Sequence, residues 1–192
     1  MLMGNPLKAT SPAALGWRVA AEWERHEATW LAWPHDSETW PHELNQLEAM
    51  YLEIIGHLQE GEKVRILVEN ERIQDQALRK LRERNIAQNI SFHLIETDSP
   101  WIRDYGPVFL AGKGRKQALV NWRFNAWGRK YDSYQKDNQV PDALASELKL
   151  EQFQPGLVLE GGAIDVNGLG TCVTTESCLL NPNRNPALTR EG

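Results

Sequence analysis

Cysteine is scarce in this sequence, and its two cysteines, Cys172 and Cys178, are too few for a disulfide framework or a zinc ribbon. No run approaches the roughly 20 apolar residues of a membrane span, and residues 1–15 lack the apolar core of a secretion signal. Positive charge is in the minority, with 21 Lys and Arg against 26 Asp and Glu. Because a nucleic-acid surface needs clustered cations, this balance disfavours nucleic acid as a partner. These absences predict a cytoplasmic protein that binds a small cation, with no nucleic acid and no membrane.

What the sequence does contain is typical of a folded globular protein. Its 192 residues are 41% apolar and 24% charged, and eight of them are tryptophan. Most tryptophans are expected to fill a core. Trp101, Trp122 and Trp127 lie beside polar motifs, where an aromatic wall can flank a flat cationic group.

The spacing of apolar residues predicts an α/β (α+β) fold after a mobile leader over residues 1–18. In the first half, strands alternate with amphipathic helices: strands 28–33, 64–68 and 90–95, and helices 42–58 and 72–84. In the second half, the pattern predicts a hairpin of strands 108–111 and 118–124 and a short helix at 142–148. Three more strands are predicted at 157–159, 163–166 and 171–174. Similar blocks recur weakly, without repeated sequence.

Two acids follow the predicted strand 90–95, at the position where open α/β folds place ligand groups. Asp98 and Asp104 flank a Pro-Trp pair, and Gly-Pro follows them. A carboxylate held in such a loop can accept two N–H groups of a guanidinium. The structural alternatives are an ion pair between Arg103 and Asp104, or Asp98 capping a turn.

A third acid, Glu160, ends the apolar run 157–159 and precedes Gly161 and Gly162. A buried acid needs a partner or a ligand, and glycines allow another backbone to approach closely. The structural alternative is a surface glutamate before a Gly-Gly turn.

Two further segments are rich in polar and aromatic residues. Residues 121–131 interleave aromatics with Arg and Lys, a pattern that also suits single-stranded nucleic acid, although the acidic net charge disfavours that use. The Asn-Pro loop 179–186 is predicted to be a structural turn with no chemical role.

In this order the segments resemble the agmatine deiminase and bacterial peptidylarginine deiminase family of the guanidine-modifying (pentein) superfamily. The resemblance extends from about Trp17 to the last residue. It rests on residues 21–27, on Trp33-Pro34 with Trp40-Pro41, on Trp-x-Arg-Asp-x-Gly-Pro at 101–107, and on residues 124–128, 159–162 and 174–186.

The resemblance implies a five-bladed αβ propeller, no cofactor and no metal. It also implies hydrolysis of the guanidinium of agmatine to N-carbamoylputrescine and ammonia, a step of putrescine biosynthesis, through a covalent Cys adduct. Asp104 and Glu160 would be the catalytic-site acids that bind the guanidinium from two sides. Asp98, Trp101 and Arg103 would form the substrate-binding surroundings.

The base and the nucleophile of that family are missing from this sequence. The family pattern requires a His-x-Asp and a late Cys, but none of the five histidines is followed by an Asp two positions later. Cys178 lies where the family carries a packing cysteine, and Cys172 alternates within a predicted strand, so neither is expected to be the nucleophile. Residues 19–192 are therefore predicted to be the N-terminal portion of one propeller domain, truncated at its C-terminus and inactive alone.

Two alternatives stay open at the level of sequence. Agmatine is favoured because the acids suit a cation without a carboxylate, but Arg129 and Lys130 could recognise the carboxylate of a peptidyl arginine, so a peptidylarginine deiminase is the runner-up. A non-catalytic remnant that only binds a cation is the second. The oligomeric state is also open, with a homo-oligomer as one outcome.

Overall fold

The computed structural model describes residues 11–35, 42–86 and 88–191. These residues divide into two compact units. The parallel-sheet unit contains residues 25–35, 42–86, 88–102 and 131–140, and the mixed-sheet unit contains residues 11–24, 103–130 and 141–191. Most of the predicted leader and the Trp40-Pro41 motif lie outside the described residues.

The helices and strands follow one another as β1 (Arg18–Val19), β2 (Ala28–Ala32), α1 (Leu44–Leu58), β3 (Lys63–Val68), α2 (Glu71–Glu83), β4 (Ile90–Leu94), α3 (Ile102–Tyr105), β5 (Val108–Ala111), β6 (Gln117–Val120), α4 (Ala126–Arg129), α5 (Gln135–Leu148), β7 (Glu151–Phe153), β8 (Ile164–Val166), β9 (Cys172–Thr174) and α6 (Glu176–Leu179). Short 3-10 turns form at Lys113–Arg115 and Gly161–Ala163.

The parallel-sheet unit is built from two strand–helix–strand crossovers. Its sheet has the order β2-β3-β4, and both pairs are parallel. The central strand β3 buries Val64 and Ile66 completely, and these residues pack with Ile55 of α1 and Leu81 of α2. The amphipathic spacing that predicted the two helices therefore supplies the apolar faces that cover the sheet.

The mixed-sheet unit has a four-stranded sheet of order β1-β5-β6-β7 and a separate two-stranded ribbon, β8-β9. The β5-β6 hairpin is antiparallel, whereas β7 joins β6 in parallel. Leu110, Ala118 and Val120 form the buried core, against which Trp17 and Trp122 pack. The mixture of helices with parallel and antiparallel strands confirms the α/β class. None of the three sheets formed by the described residues closes on itself, and the propeller stays a prediction.

Some predicted elements have different bounds in the structure. Strand β6 ends at Val120 rather than at residue 124, and strand 157–159 is reduced to one bridge between Val158 and Arg123. Helix α5 begins at Gln135, not at residue 142, because Pro141 lies inside the helix rather than at its start. Five short elements were not predicted: strands β1 and β7 and the helical turns α3, α4 and α6.

None of the helices formed by the described residues is long and apolar enough to span a membrane.

Candidate functional site

Glu160 is the most deeply buried of the predicted site residues. It lies just before the 3-10 turn Gly161–Ala163 in the mixed-sheet unit, and only 3% of its surface is exposed. Its Oε1 accepts a hydrogen bond from Nε of Arg184 at 2.9 Å, and the Arg184 side chain is itself 12% exposed. Its Oε2 is buried and has no hydrogen-bond partner among the described residues. A buried carboxylate oxygen without a donor is costly, and a bound N–H would satisfy it.

Asp104 lies in the helical turn α3 and accepts one hydrogen bond at each carboxylate oxygen. Its Oδ2 accepts from the indole Nε1 of Trp127 at 3.0 Å, and its Oδ1 accepts from the backbone N of Gly162 at 3.1 Å. Each carboxylate oxygen has two lone pairs, so both keep acceptor capacity. The two donors fix the plane of the carboxylate without neutralising its charge.

The glycine pair after Glu160 brings the Glu160 motif against the Asp104 motif. A Cβ on Gly161 would lie 2.4 Å from the backbone oxygen of Arg103, and one on Gly162 would lie 2.2 Å from Oδ1 of Asp104. Both distances are far below van der Waals contact, so only glycine fits here. The close approach predicted from the Gly-Gly pair is confirmed.

A left-handed turn positions Trp127. All four residues of α4 have positive φ: 52° for Ala126, 55° for Trp127, 84° for Gly128 and 63° for Arg129. Outside glycine this conformation costs about 1–2 kcal/mol per residue. Asn125 offsets part of the cost, because its side chain accepts from Gly128 N at 2.9 Å. The strained turn directs the Trp127 indole to Asp104.

The Asn-Pro loop contributes to this site, contrary to its prediction as a turn without chemistry. Arg184 bonds Glu160, as described above, and Asn183 accepts from Nη1 of Arg184 at 3.1 Å. The 7%-exposed side chain of Asn185 bonds the backbone N and O of Val158 at 2.9 and 2.8 Å. The sequence offered only one signal, an arginine placed among turn-forming residues.

The other sequence-predicted acid, Asp98, belongs to the parallel-sheet unit. Its Oδ2 accepts from the backbone N of Lys136, in the first turn of α5, at 2.8 Å. This contact is a helix cap from a remote loop, so the capping alternative holds for Asp98, and its role toward a substrate stays a prediction.

Asp137 lies beside Asp98 and was not predicted. It is 1% exposed and accepts from the backbone N of Asp98 at 2.7 Å and from Oγ of Ser99 at 2.8 Å. The pKa of Asp137 is raised to about 6, chiefly by burial; the hydrogen bonds from Ser99 and from the backbone N of Asp98 lower it, and the negative charge of Asp98 adds a smaller increase.

Trp101 and Arg103 are both exposed. Trp101 is 51% exposed, so it is not a core tryptophan. Arg103 pairs with Glu22 rather than with Asp104. The substrate-binding roles of Trp101 and Arg103 stay predictions.

Neither cysteine is fully buried. Cys172 is exposed in β9, whereas Cys178 is half-buried in α6, so the packing role of Cys178 stays a prediction. Both lie on short elements with little cover from the rest of the unit. Across the described ranges, no group of three or more His, Cys, Asp or Glu side chains could hold a metal ion.

Comparison with known proteins gives the same family at the level of sequence and of fold. Residues 18–192 match the family described as Porphyromonas-type peptidyl-arginine deiminase. The chain is 37% identical over 188 residues to the agmatine deiminase of Ectopseudomonas mendocina, covering 95% of this chain and 50% of that relative.

Two solved structures share the fold. The agmatine deiminase of Enterococcus faecalis aligns with a TM-score of 0.85 at 28% identity, over 94% of this chain and 49% of that one. A substrate-bound variant of the C. jejuni agmatine deiminase aligns with a TM-score of 0.80 at 30% identity, over 91% and 50%.

The chain thus spans about half the length of the relatives it matches. The motifs around Asp104 and Glu160 are among those on which the resemblance rests. The chain belongs to the Porphyromonas-type peptidyl-arginine deiminase family, whose members include agmatine deiminases.

Proposed function

We propose that this chain supplies guanidinium-binding acids of an agmatine deiminase, with Glu160 and Asp104 as the groups that hold the substrate cation. The observation that carries the proposal is the buried Oε2 of Glu160, which has no donor among the described residues. A planar guanidinium provides N–H donors at the geometry that a carboxylate prefers. The similarity to agmatine deiminases, one with substrate bound, supports agmatine as that cation.

In the full-length protein the acids would orient the guanidinium and hold its positive charge while the chemistry takes place at its central carbon. A thiolate adds to that carbon, ammonia leaves, and water then displaces the sulfur, so that a ureido group and the free thiol remain. Glu160 and Asp104 contribute by binding and orientation. The five-bladed propeller and the pathway to putrescine are parts of the same proposal.

This chain by itself is expected to bind agmatine without converting it. Its sequence contains no His-x-Asp, and the exposed Cys172 and half-buried Cys178 lie on short elements of the mixed-sheet unit. A colorimetric assay of the ureido product after incubation with agmatine is expected to stay at background. Product formation above background, lost in a Cys172→Ser or Cys178→Ser variant, would refute the inactivity.

Calorimetric titration tests the binding half of the proposal. Agmatine is expected to bind more tightly than putrescine, which lacks the guanidine group. Glu160→Gln should weaken agmatine binding by about tenfold or more, since it removes a charge-assisted hydrogen bond. The matched control is Glu176→Gln, because Glu176 is an exposed acid that pairs with Arg190 in the same unit. An equal loss in both variants, or no binding by the wild-type chain, contradicts the proposed site.

Peptidyl arginine is the second candidate substrate, since the matching family is named for peptidyl-arginine deiminases. Arg129 and Lys130 are exposed at the left-handed turn, where a carboxylate could reach them. The same titration with a peptide ending in arginine distinguishes the two. Tighter binding of the peptide, lost in Arg129→Gln, would favour a peptidylarginine deiminase over an agmatine deiminase.

A further inference from the structure

Arg184 brings a guanidinium of the protein itself to the acid that is proposed to bind the substrate guanidinium. Its Nε lies 2.9 Å from Oε1 of Glu160, and both side chains are largely buried, with 12% and 4% of their surfaces exposed. The contact uses only one carboxylate oxygen, and Oε2 of Glu160 stays without a donor in the described part of the chain. Arg184 therefore bonds one of the two oxygens of Glu160, while the other is buried and has no donor among the described residues.

A series of contacts within the mixed-sheet unit positions Arg184. Its Nη1 donates to Oδ1 of Asn183 at 3.1 Å, and Nδ2 of Asn125 donates to the backbone oxygen of Asn183 at 2.9 Å. Gly128 leaves room for this packing, because a Cβ there would lie 2.2 Å from Nδ2 of Asn183. The left-handed turn that orients Trp127 toward Asp104 thus also packs against the loop that carries Arg184.

The charges of the cluster suit a single guanidinium. Glu160 pairs with the buried cation Arg184, whereas the donors to Asp104 are the neutral N–H groups of Gly162 and Trp127, so these three side chains together carry one net negative charge. Without Arg184, Glu160 would be a buried carboxylate with no cation and no fixed orientation.

We infer that Arg184 is a positioning residue: it occupies Oε1 of Glu160 and fixes the carboxylate so that Oε2 alone is presented to the substrate guanidinium. This inference rests on the proposed function. The Asn-Pro loop would then contribute to substrate binding through Glu160, and Arg184 itself would not contact the substrate.

A double-mutant cycle on agmatine binding tests the inference. Arg184→Gln is expected to weaken agmatine binding by about tenfold to a hundredfold, the range for a lost hydrogen bond to a charged group. It should also abolish the preference for agmatine over putrescine. In the Glu160→Gln background, adding Arg184→Gln should weaken binding no further, because the residue acts only through Glu160. Arg190→Gln, which removes an exposed ion pair with Glu176, is the control and should bind as wild type does.

A merely structural role would give a different pattern. If the losses of Arg184→Gln and Glu160→Gln add, or if Arg184→Gln binds agmatine as tightly as wild type or more tightly, the inference is wrong while the proposed function stands. If the wild-type chain itself does not bind agmatine, the proposed function fails and the inference fails with it.

Arg184→Lys is a second variant, included because Arg184→Gln could fail to fold. The amide NMR spectrum of each variant shows whether it is folded. Lysine keeps the charge but lacks the directed Nε–H, so this variant should stay folded and lose about tenfold in affinity. Wild-type affinity in Arg184→Lys overturns the inference. Failure of both variants to fold also overturns it, since Arg184 would then be needed for folding and not for positioning alone.

Discussion

At the scale of single residues, buried carboxylates are satisfied in different ways. Glu160 meets a buried guanidinium at one oxygen, whereas among the described residues the hydrogen-bond donors to Asp137 are neutral: the backbone N groups of Asp98 and Ser99 and the Ser99 hydroxyl. These hydrogen bonds do not fully offset burial, and the pKa of Asp137 is raised to about 6. Burial therefore makes ionisation of Asp137 less favourable in the folded protein than in the unfolded chain.

The raised pKa of Asp137 should make the free energy of unfolding depend on pH. An unfolded aspartate titrates near a pKa of about 3.9, below the value of about 6 in the folded chain. Between these values the folded state holds the extra proton, so the free energy of unfolding falls as the pH rises through this window. The contribution is fully present below about pH 4 and lost above about pH 6, and it amounts to roughly 2–3 kcal/mol at most.

Urea unfolding of Asp137→Asn at pH 4, 5, 6 and 7 measures that contribution. The variant should show a smaller decline in stability across this window than the wild-type chain. Asp142→Asn, on an exposed position of the same helix, should keep the wild-type decline. Identical pH profiles for wild type and Asp137→Asn would show that Asp137 does not titrate in this window.

Sequence reasoning found the acids of the candidate site but not the cation that holds one of them. Glu160 was predictable because an acid between an apolar run and two glycines is costly unless it has a partner. Arg184 was not, since an arginine among Asn and Pro residues is normally solvated at a surface turn. Its pairing with Glu160 depends on the packing of Asn183 against Gly128.

At the scale of elements, two helices end in a residue with a positive φ, a left-handed backbone conformation that is unfavourable for residues other than glycine. Helix α5 ends in a hydrogen-bonded motif in which Leu150 N bonds Ala145 O at 3.0 Å and Lys149 N bonds Ser146 O at 3.3 Å. The motif places Lys149 at a φ of 54°, a position that glycine prefers. Helix α2 ends in the same way, but with Asn85 at a φ of 58°.

Replacement of Lys149 by glycine should stabilise the protein. The side chain of Lys149 is exposed, so its loss removes little packing, while the left-handed strain of about 1 kcal/mol is relieved. We expect Lys149→Gly to raise the free energy of unfolding by about 0.5–1 kcal/mol, measured by urea denaturation. Asn85→Gly should gain less, since asparagine tolerates this conformation. A loss of stability in Lys149→Gly would mean that Lys149 has a packing or charge role.

The elements with periodic apolar patterns were predictable, whereas several of the short ones were not. Helices α1 and α2 and strands β3 and β4 have periodic apolar patterns, and their predicted centres are confirmed. Strand β7 has three residues, and its pairing with β6 is decided by tertiary contacts rather than by its own pattern. The start of α5 was predicted too late, after Pro141, because proline more often begins a helix than lies inside it.

At the scale of the whole molecule, the sheets differ in how much cover they have. Strand β3 is hydrogen bonded on both sides, and its face with Val64, Ile66 and Val68 packs against helices α1 and α2. The ribbon β8-β9 has two strands, and all three residues of β9 are exposed. An isolated two-stranded ribbon is marginally stable in water.

Hydrogen exchange should reflect this difference. Amides of β3 are expected to be protected at least about tenfold longer than those of β8-β9, because the ribbon can open without exposing a core. Peptide-level exchange followed by mass spectrometry measures both in one experiment. Comparable protection in the two strand sets would show that the ribbon is covered in solution, for example by a second copy of the chain.

The sequence by itself determined the family, the α/β class and the two acids of the candidate site. Those features follow from contiguous motifs and from the periodic spacing of apolar residues, both of which involve residues close together in the sequence. Only the tertiary structure decided that Arg184 bonds Glu160, 24 residues away, and that Asp98 caps a helix 38 residues away. Such contacts depend on where the backbone brings distant loops together, and no local pattern of residues encodes that distance.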